Sequence, residues 1–289
     1  MNDRTTRPNQ PDADPALPDI LRTAVAIATG AGAILREGLE AIRGGRAAGP
    51  RYKTTNIDPV TEYDLRSEAH IVEALQREFP THTIIGEEGG RYRTSGASGE
   101  VGQRYLWQVD PLDGTVNFAH GFPMFCVSLG LLIDGIPAVG VVFNPATDEL
   151  FAAAAGHRAT RNGMPIAVSQ TNSLDKALLI TGFSYDTHVS DSNMRNFLGF
   201  QHTAQATRRI GSAALNLCYT AAGQMDGHWE LKVQPHDIAA GIAIVREAGG
   251  MVTDFDGGND MLGSGRIVAS NGLIHDAMLA VLIRMNDRD

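Results

Sequence analysis

Two aspartates three positions apart, Asp110 and Asp113, carry the strongest chemical signal in the chain. They follow the apolar run Tyr105 to Val109 in the stretch Trp107-Gln108-Val109-Asp110-Pro111-Leu112-Asp113-Gly114-Thr115. The pattern predicts a strand that stops at a site. Pro111 presets φ and removes a donor that would compete for the carboxylates, so both can point at one centre. Gly114 lets the backbone come close to a ligand. Thr115 is suited to begin a helix, whose free N–H groups attract an anion. Carboxylates beside an anion site make sense with a cation between them. A hard divalent ion with oxygen ligands, above all Mg2+, does this in phosphate chemistry. Taken alone, the same residues also read as an acidic surface turn, because Asp-Gly is a common turn former.

Three further positions join them. Thr83-Ile84-Ile85-Gly86 reads as a short buried strand followed by Glu87 and Glu88, of which one is expected to enter a site. Asp64 falls in the first turn of a helix over 61–79, where it either complements the helix dipole or aims into a site. Asp237, after Pro235-His236, starts a helix over 237–248. Glu87, Asp110, Asp113 and Asp237 thus each stand at a strand end or a helix start. Two cations about 3.5–4 Å apart need one bridging carboxylate and others on each side, and Asp110 is the natural bridge.

The elements that must position these residues alternate along 289 residues, 43% of them hydrophobic, enough for one large α/β unit or two closely packed lobes. Helical spacing marks 18–42, and the strands 125–132 and 138–143 meet at Asp134-Gly135, a hairpin turn. Strands at 150–155, 159–160 and 166–168 complete a mainly antiparallel sheet. A second half has strands at 177–182, 224–231, 251–253 and 267–269. Its helices are expected at 190–200, 213–222, 237–248 and 274–285. The expected division is a disordered tail over 1–17, an α+β half over 18–170 with most of the acidic site, and an α/β half over 171–289. The class is α/β or α+β with alternating layers. The formal net charge of −9 argues against a general nucleic-acid binder. Cys126 and Cys218 have apolar neighbours and no ligand spacing, which fits a reducing compartment. The N-terminal residues lack an apolar secretory core, and no run of 18 apolar residues occurs, so the expectation is a cytoplasmic protein without a membrane span.

Three segments carry a family resemblance. They are Ile85-Gly86-Glu87-Glu88, Asp110-Pro111-Leu112-Asp113-Gly114-Thr115, and Asp237-Ile238-Ala239-Ala240-Gly241 followed by Glu247-Ala248-Gly249-Gly250. From about Ile20 to Ile283 the chain resembles the inositol monophosphatase family of Mg2+-dependent, Li+-sensitive phosphatases. The resemblance implies an α-β-α-β-α layered fold, usually a homodimer, and two or three Mg2+ ions. It implies that Glu87, Asp110 and the Leu112 carbonyl hold the first ion, that Asp110, Asp113 and Asp237 hold the second, and that Glu87 touches a third, weaker ion through water. Asp64 and Thr115 match the pair that activates the attacking water. Gly114 and Thr115 match backbone donors to the phosphate. Glu230, Ala213 and Ser184 match the substrate pocket, although Ala213 also reads as helix packing and Ser184 as a turn residue.

One departure stands out, because His236 occupies the position before the last metal carboxylate where the family usually has Trp. The resemblance points to hydrolysis of myo-inositol 1-phosphate or a similar polyol phosphate. Relatives of the same fold act on histidinol phosphate, fructose 1,6-bisphosphate or 3′(2′),5′-bisphosphate nucleotides. Some bacterial members act instead by binding, in transcription antitermination complexes.

Overall fold

The computed structural model describes residues 15–45, 51–52, 59–92, 104–184 and 192–286. Residues 1–14 of the tail expected over 1–17, most of the loop after the first helix, and residues 93–103 lie outside the described residues, whereas Leu17, expected in that tail, begins the first helix and is fully buried. Two sheets and their helices stack in layers. The N-terminal part contributes α1 (Leu17–Arg43), β1 (Arg51–Tyr52), β2 (Pro59–Val60), α2 (Glu62–Glu78), β3 (Thr83–Gly86), β4 (Gly90–Tyr92), β5 (Tyr105–Asp113), α3 (Thr115–Ala119), β6 (Cys126–Ile133), β7 (Ile136–Asn144), β8 (Glu149–Ala154), β9 (His157–Arg161) and β10 (Met164–Pro165). The C-terminal part contributes β11 (Leu178–Thr181), α4 (Ser192–Gln201), β12 (Ala206–Arg208), α5 (Ala213–Ala221), β13 (Gly227–Leu231), α6 (Pro235–Glu247), β14 (Met251–Thr253), α7 (Met261–Ser264), β15 (Arg266–Ser270) and α8 (His275–Asn286).

The larger sheet has the order β10-β9-β8-β7-β6-β5-β3-β4, with β3 and β5 parallel and its other neighbours antiparallel. The smaller sheet has the order β12-β11-β13-β15-β14. α1 and α2 cover the outer face of the larger sheet, joining Leu35, Tyr63 and Leu75 to Trp107, Val127 and Phe143 in one core. α5 and α6 fill the middle layer, where Leu217, Ile238 and Ile242 meet Val142 and Phe151 from one sheet and Ile267 and Ala269 from the other. α4 and α8 cover the far face of the smaller sheet around Phe200, Trp229 and Met278. The predicted α-β-α-β-α layering is therefore the observed one. Gly140 shows why the middle layer fits so closely: a Cβ there would run into the backbone of Ala240 on α6.

α1 is long and apolar enough to cross a membrane by length and composition, with a mean hydropathy of 1.2. Its buried face, Ala24, Ala28, Ala31, Leu35 and Leu39, packs into the first core. Three local expectations change. β5 does not stop at Val109 but runs on through Asp113. The residues 166–168 form no strand: the backbone N–H groups of Ile166 and Val168 bond singly to the carbonyls of Ala159 and Ala248, not along a ladder. Arg91, expected in a loop, lies in β4.

Candidate active site

The site lies where the ends of β3, β5 and β13 meet the starts of α2, α3, α5 and α6. Asp110 and Asp113 sit on a bulge. Asp110 pairs with Ser128 and Asp113 with Cys126, so β5 carries one residue more than β6 over this step. A bulge re-aims side chains and is one of the few places a sheet tolerates proline. Pro111 offers no N–H, and the next one, on Leu112, donates to Asp110 Oδ1 at 3.0 Å. The Pro111 carbonyl accepts from Ser67 Oγ of α2 at 2.9 Å, which ties the bulge to the helix. Gly114 follows at φ 94°, and a Cβ there would lie 2.8 Å from the Met124 carbonyl oxygen. That left-handed step allows α3 to start at Thr115.

Asp64 occupies the third position of α2 and closes a capping box, in which its Oδ2 accepts from Thr61 N at 2.9 Å and Thr61 Oγ1 at 2.6 Å. Its Oδ1 accepts from Thr115 Oγ1 at 3.2 Å. One side chain thus caps α2 with one oxygen and reaches Thr115 with the other. Thr115 Oγ1 also lies 3.0 Å from the Leu112 carbonyl oxygen. Burial pushes the Asp64 carboxyl up to about 6, against the hydrogen bonds from Thr61.

Asp113 Oδ2 accepts from Ser212 Oγ at 2.6 Å and from the Ala214 backbone at 2.7 Å, which fixes it to the start of α5. Asp237 Oδ2 accepts from Gln234 N at 2.7 Å, a second capping box, on α6. The departure residue His236 places Nε2 3.3 Å from Asp237 Oδ1. Glu87 follows β3, its backbone N–H bonded to the Val109 carbonyl at 3.1 Å.

The electrostatics make these carboxylates one group. Burial, then the charges of Glu87, Asp113 and Asp237, hold the Asp110 carboxyl well above its usual range. Burial and Asp237 push Asp113 up to about 7, although the bonds from Ser212 and Ala214 oppose this. Among the described residues, no three His, Cys, Asp or Glu side chains are placed, as they stand, to hold a metal ion together. One oxygen each of Asp110, Asp113 and Asp237 is instead turned to a donor of the chain. The donors themselves, carboxylates with a backbone carbonyl beside them, are the oxygen set that suits Mg2+.

The outer side of the site is less uniform. Glu230, on β13, is 8% exposed, and burial followed by the charges of Asp237 and Asp113 pushes it up to about 8. Ala213 is the first residue of α5 and is buried directly beside the Asp113 anchor. Ser184 is half-buried shortly after β11. Sequence reasoning missed several supports. Arg209 stacks its guanidinium 4.9 Å from the Phe183 ring centroid, and its charge favours ionised Glu230. Glu68, buried on α2, accepts from Glu88 N at 2.9 Å, Gly89 N at 2.6 Å and Tyr92 Oη at 2.7 Å, and so pins the turn that carries Glu87. Its spacing, one helical turn after Asp64, was the available signal. Asn117 donates to the Met124 and Ile210 carbonyls at 2.6 and 2.7 Å, joining α3 to the approach to α5.

Comparison with known proteins agrees with this geometry. The family model described as "Inositol monophosphatase family" matches residues 17–286. An inositol-1-monophosphatase of Synechocystis is 50% identical over 226 residues, covering 78% of this chain and 77% of the relative. The Nus factor SuhB of Pseudomonas aeruginosa is 44% identical over 229 residues, 78% of this chain and 83% of the relative. A solved inositol monophosphatase of Anabaena superposes with a TM-score of 0.82 at 43% identity, covering 93% of this chain and 96% of its own. With its layered fold and the acidic bulge at the centre of the matched region, this chain belongs to the inositol monophosphatase family and is a phosphatase.

Proposed function

We propose that the chain hydrolyses a phosphate monoester of a polyol, with myo-inositol 1-phosphate the first candidate, using two or three Mg2+ ions held by Glu87, Asp110, Asp113, Asp237 and the Leu112 carbonyl. The observation that carries this reading is the carboxylate group around buried Asp110 and half-buried Asp113, both raised by desolvation and by their neighbours' charges. Removing one charge from water is costly, and burying several of one sign is tolerable when a cation offsets them.

When bound, Mg2+ supplies positive charge that acidifies a water molecule and stabilises a departing alkoxide. Thr115 Oγ1 takes a proton from that water and relays it to Asp64 Oδ1. Asp64, at about 6, is ionised near neutrality yet basic enough to accept it. The backbone N–H groups of Gly114 and Thr115 hold the phosphate. The water oxygen bonds to phosphorus in line as the ester P–O bond breaks, and the departing oxygen takes a proton from solvent, so that inorganic phosphate and the alcohol are released. The protein's own contribution is position and preorganised charge. Glu230, Ala213 and Ser184 face the alcohol side in this reading. We place the enzyme in the cytoplasm as a homodimer, in line with its two buried free thiols and its family.

The test is phosphate release from inositol 1-phosphate, histidinol phosphate, fructose 1,6-bisphosphate and adenosine 3′,5′-bisphosphate, with Mg2+ and with and without Li+. A Li+-inhibited preference for inositol 1-phosphate is expected. A marked preference for histidinol phosphate would overturn the substrate, and no turnover of any ester would overturn the reaction.

The relatives named Nus factor SuhB, at 42–44% identity, favour a second reading in which the chain also binds protein partners in transcription antitermination. Its net charge of −9 suits protein contacts better than direct RNA binding. Immobilised Asp110→Asn protein should then still recover RNA polymerase or elongation factors from extract. Their absence would remove this second role.

A further inference from the structure

Polar atoms without partners gather behind Glu230. His228 precedes it by two residues on the same face of β13 and is fully buried, as is Asn216 on α5. His228 Nδ1 lies 3.2 Å from the Ile180 carbonyl oxygen. A carbonyl only accepts, so Nδ1 carries the hydrogen and Nε2 of the neutral ring is an acceptor. That Nε2 stands 3.6 Å from Glu230 Oε2. Neither atom has a hydrogen-bond partner, and the same holds for both polar atoms of the Asn216 side chain. The Asn216 amide is nonetheless close enough to favour the ionised form of Glu230. Gly182, at the end of β11, leaves the room Glu230 occupies, since a Cβ there would collide with the carboxyl group.

Buried polar groups without partners are costly, so their concentration beside one pocket residue needs a reason. We propose that His228 and Asn216 are positioning residues for Glu230, and that through it they select a hydroxyl-bearing alcohol over a plain one. The inference rests on the polyol-phosphate reading and adds to it the residues that set its selectivity. Two acceptors facing each other in a dry interior attract only with a proton between them. The hydrogen of the neutral ring is on Nδ1, so a proton between these two atoms comes from the Glu230 carboxyl. Oε2 is thereby turned back toward the ring, and the other oxygen is the one that meets the alcohol. Asn216 limits rotation from the α5 side. The trio resists reorientation of a side chain that would otherwise have several rotamers.

The experiment compares inositol 1-phosphate with 4-nitrophenyl phosphate, whose leaving group has no neighbouring hydroxyls, in Mg2+-loaded enzyme. His228→Phe keeps a ring and removes the acceptor, and Asn216→Ala removes the amide. Each should lower kcat/KM for inositol 1-phosphate about tenfold, chiefly through KM, and leave 4-nitrophenyl phosphate within about twofold. In a Glu230→Ala background neither change should add more than about twofold, because the effect runs through Glu230. Melting curves establish that each variant folds, and if one does not, the other decides. Equal losses on both esters, the same loss without Glu230, or no loss at all would overturn the inference and leave the substrate reading standing. Wild-type enzyme that cleaves 4-nitrophenyl phosphate but not inositol 1-phosphate would overturn both.

Discussion

Asp64 caps a helix with one oxygen and, in the proposed mechanism, accepts a proton with the other. Oδ2 closes the cap of α2, which fixes χ1 and χ2, and Oδ1 is then held toward Thr115. The relay therefore depends on the threonine hydroxyl and not on its bulk. Thr115→Val keeps the shape and should lower kcat about 10²–10⁴-fold with KM little changed, the range for losing a positioned proton-transfer group. A rate within a few-fold of wild type would remove Thr115 from the proton path. Asp110→Asn should abolish turnover almost completely at an unchanged fold, and an unaltered rate would mean the cation site lies elsewhere. The acidic residues at this scale were legible in the sequence because Asp or Glu at the end of an apolar strand is unusual and has few uses. Ser212, Asn216 and His228 were not, because each becomes meaningful through a partner distant in the chain. A serine before a helix reads as a cap, and here it caps α5 and anchors Asp113 together.

At the scale of elements, periodicity located most helices and strands, and what it misjudged were places where tertiary bonds decide. The stretch after Val109 looked like a turn because Pro and Gly break ladders. The neighbouring β6 instead accommodates the extra residue as a bulge, so the strand continues with the aspartates re-aimed. Ile166 and Val168 have strand-forming side chains, but their N–H groups find acceptors in different segments, Ala159 of β9 and Ala248 after α6, so the ladder does not continue. Glu68 is the element-scale counterpart of these cases, a charge on a helix face that binds another segment. Without it the N–H groups of half-buried Glu88 and exposed Gly89 exchange a carboxylate acceptor for water, at about 1 kcal/mol each. Glu68→Ala should lower the unfolding free energy by a few kcal/mol and, by freeing the turn that carries Glu87, weaken Mg2+ binding measured by calorimetry about tenfold. Unchanged Mg2+ affinity in a destabilised variant would confine Glu68 to a structural role.

Across the whole molecule, the layers place unlike-origin carboxylates at one depth, and the resulting repulsion is a property of the fold and not of any element. The folded carboxyls of Asp64, Asp113 and Glu230 are raised to about 6, 7 and 8, above their usual values of 3.8, 3.8 and 4.5, and Asp110 is raised as well. At these groups the native state therefore holds protons more tightly than the unfolded chain, while buried His82, His228 and His275, pushed down to about 4, act in the opposite sense below pH about 6.5. The stabilisation the carboxyls bring is fully present below pH about 4 and is lost as pH rises through about 6 to 8. Metal-free protein should accordingly show a melting temperature that falls between pH 5 and pH 8. Bound Mg2+ reverses the sign by favouring the ionised carboxylates, so its stabilising effect should be small at pH 5 and amount to several degrees at pH 8. Asp110→Asn separates the two contributions. It removes one charge from the cluster, so without metal at pH 8 it should melt above the wild type, while gaining less from added Mg2+. Differential scanning calorimetry at the two pH values, in chelator and in Mg2+, reads all of these at once. A wild-type melting temperature independent of pH and of Mg2+ would mean that the carboxylates neither repel one another in the native state nor hold the ion, and would remove the physical basis for placing the reaction at this bulge.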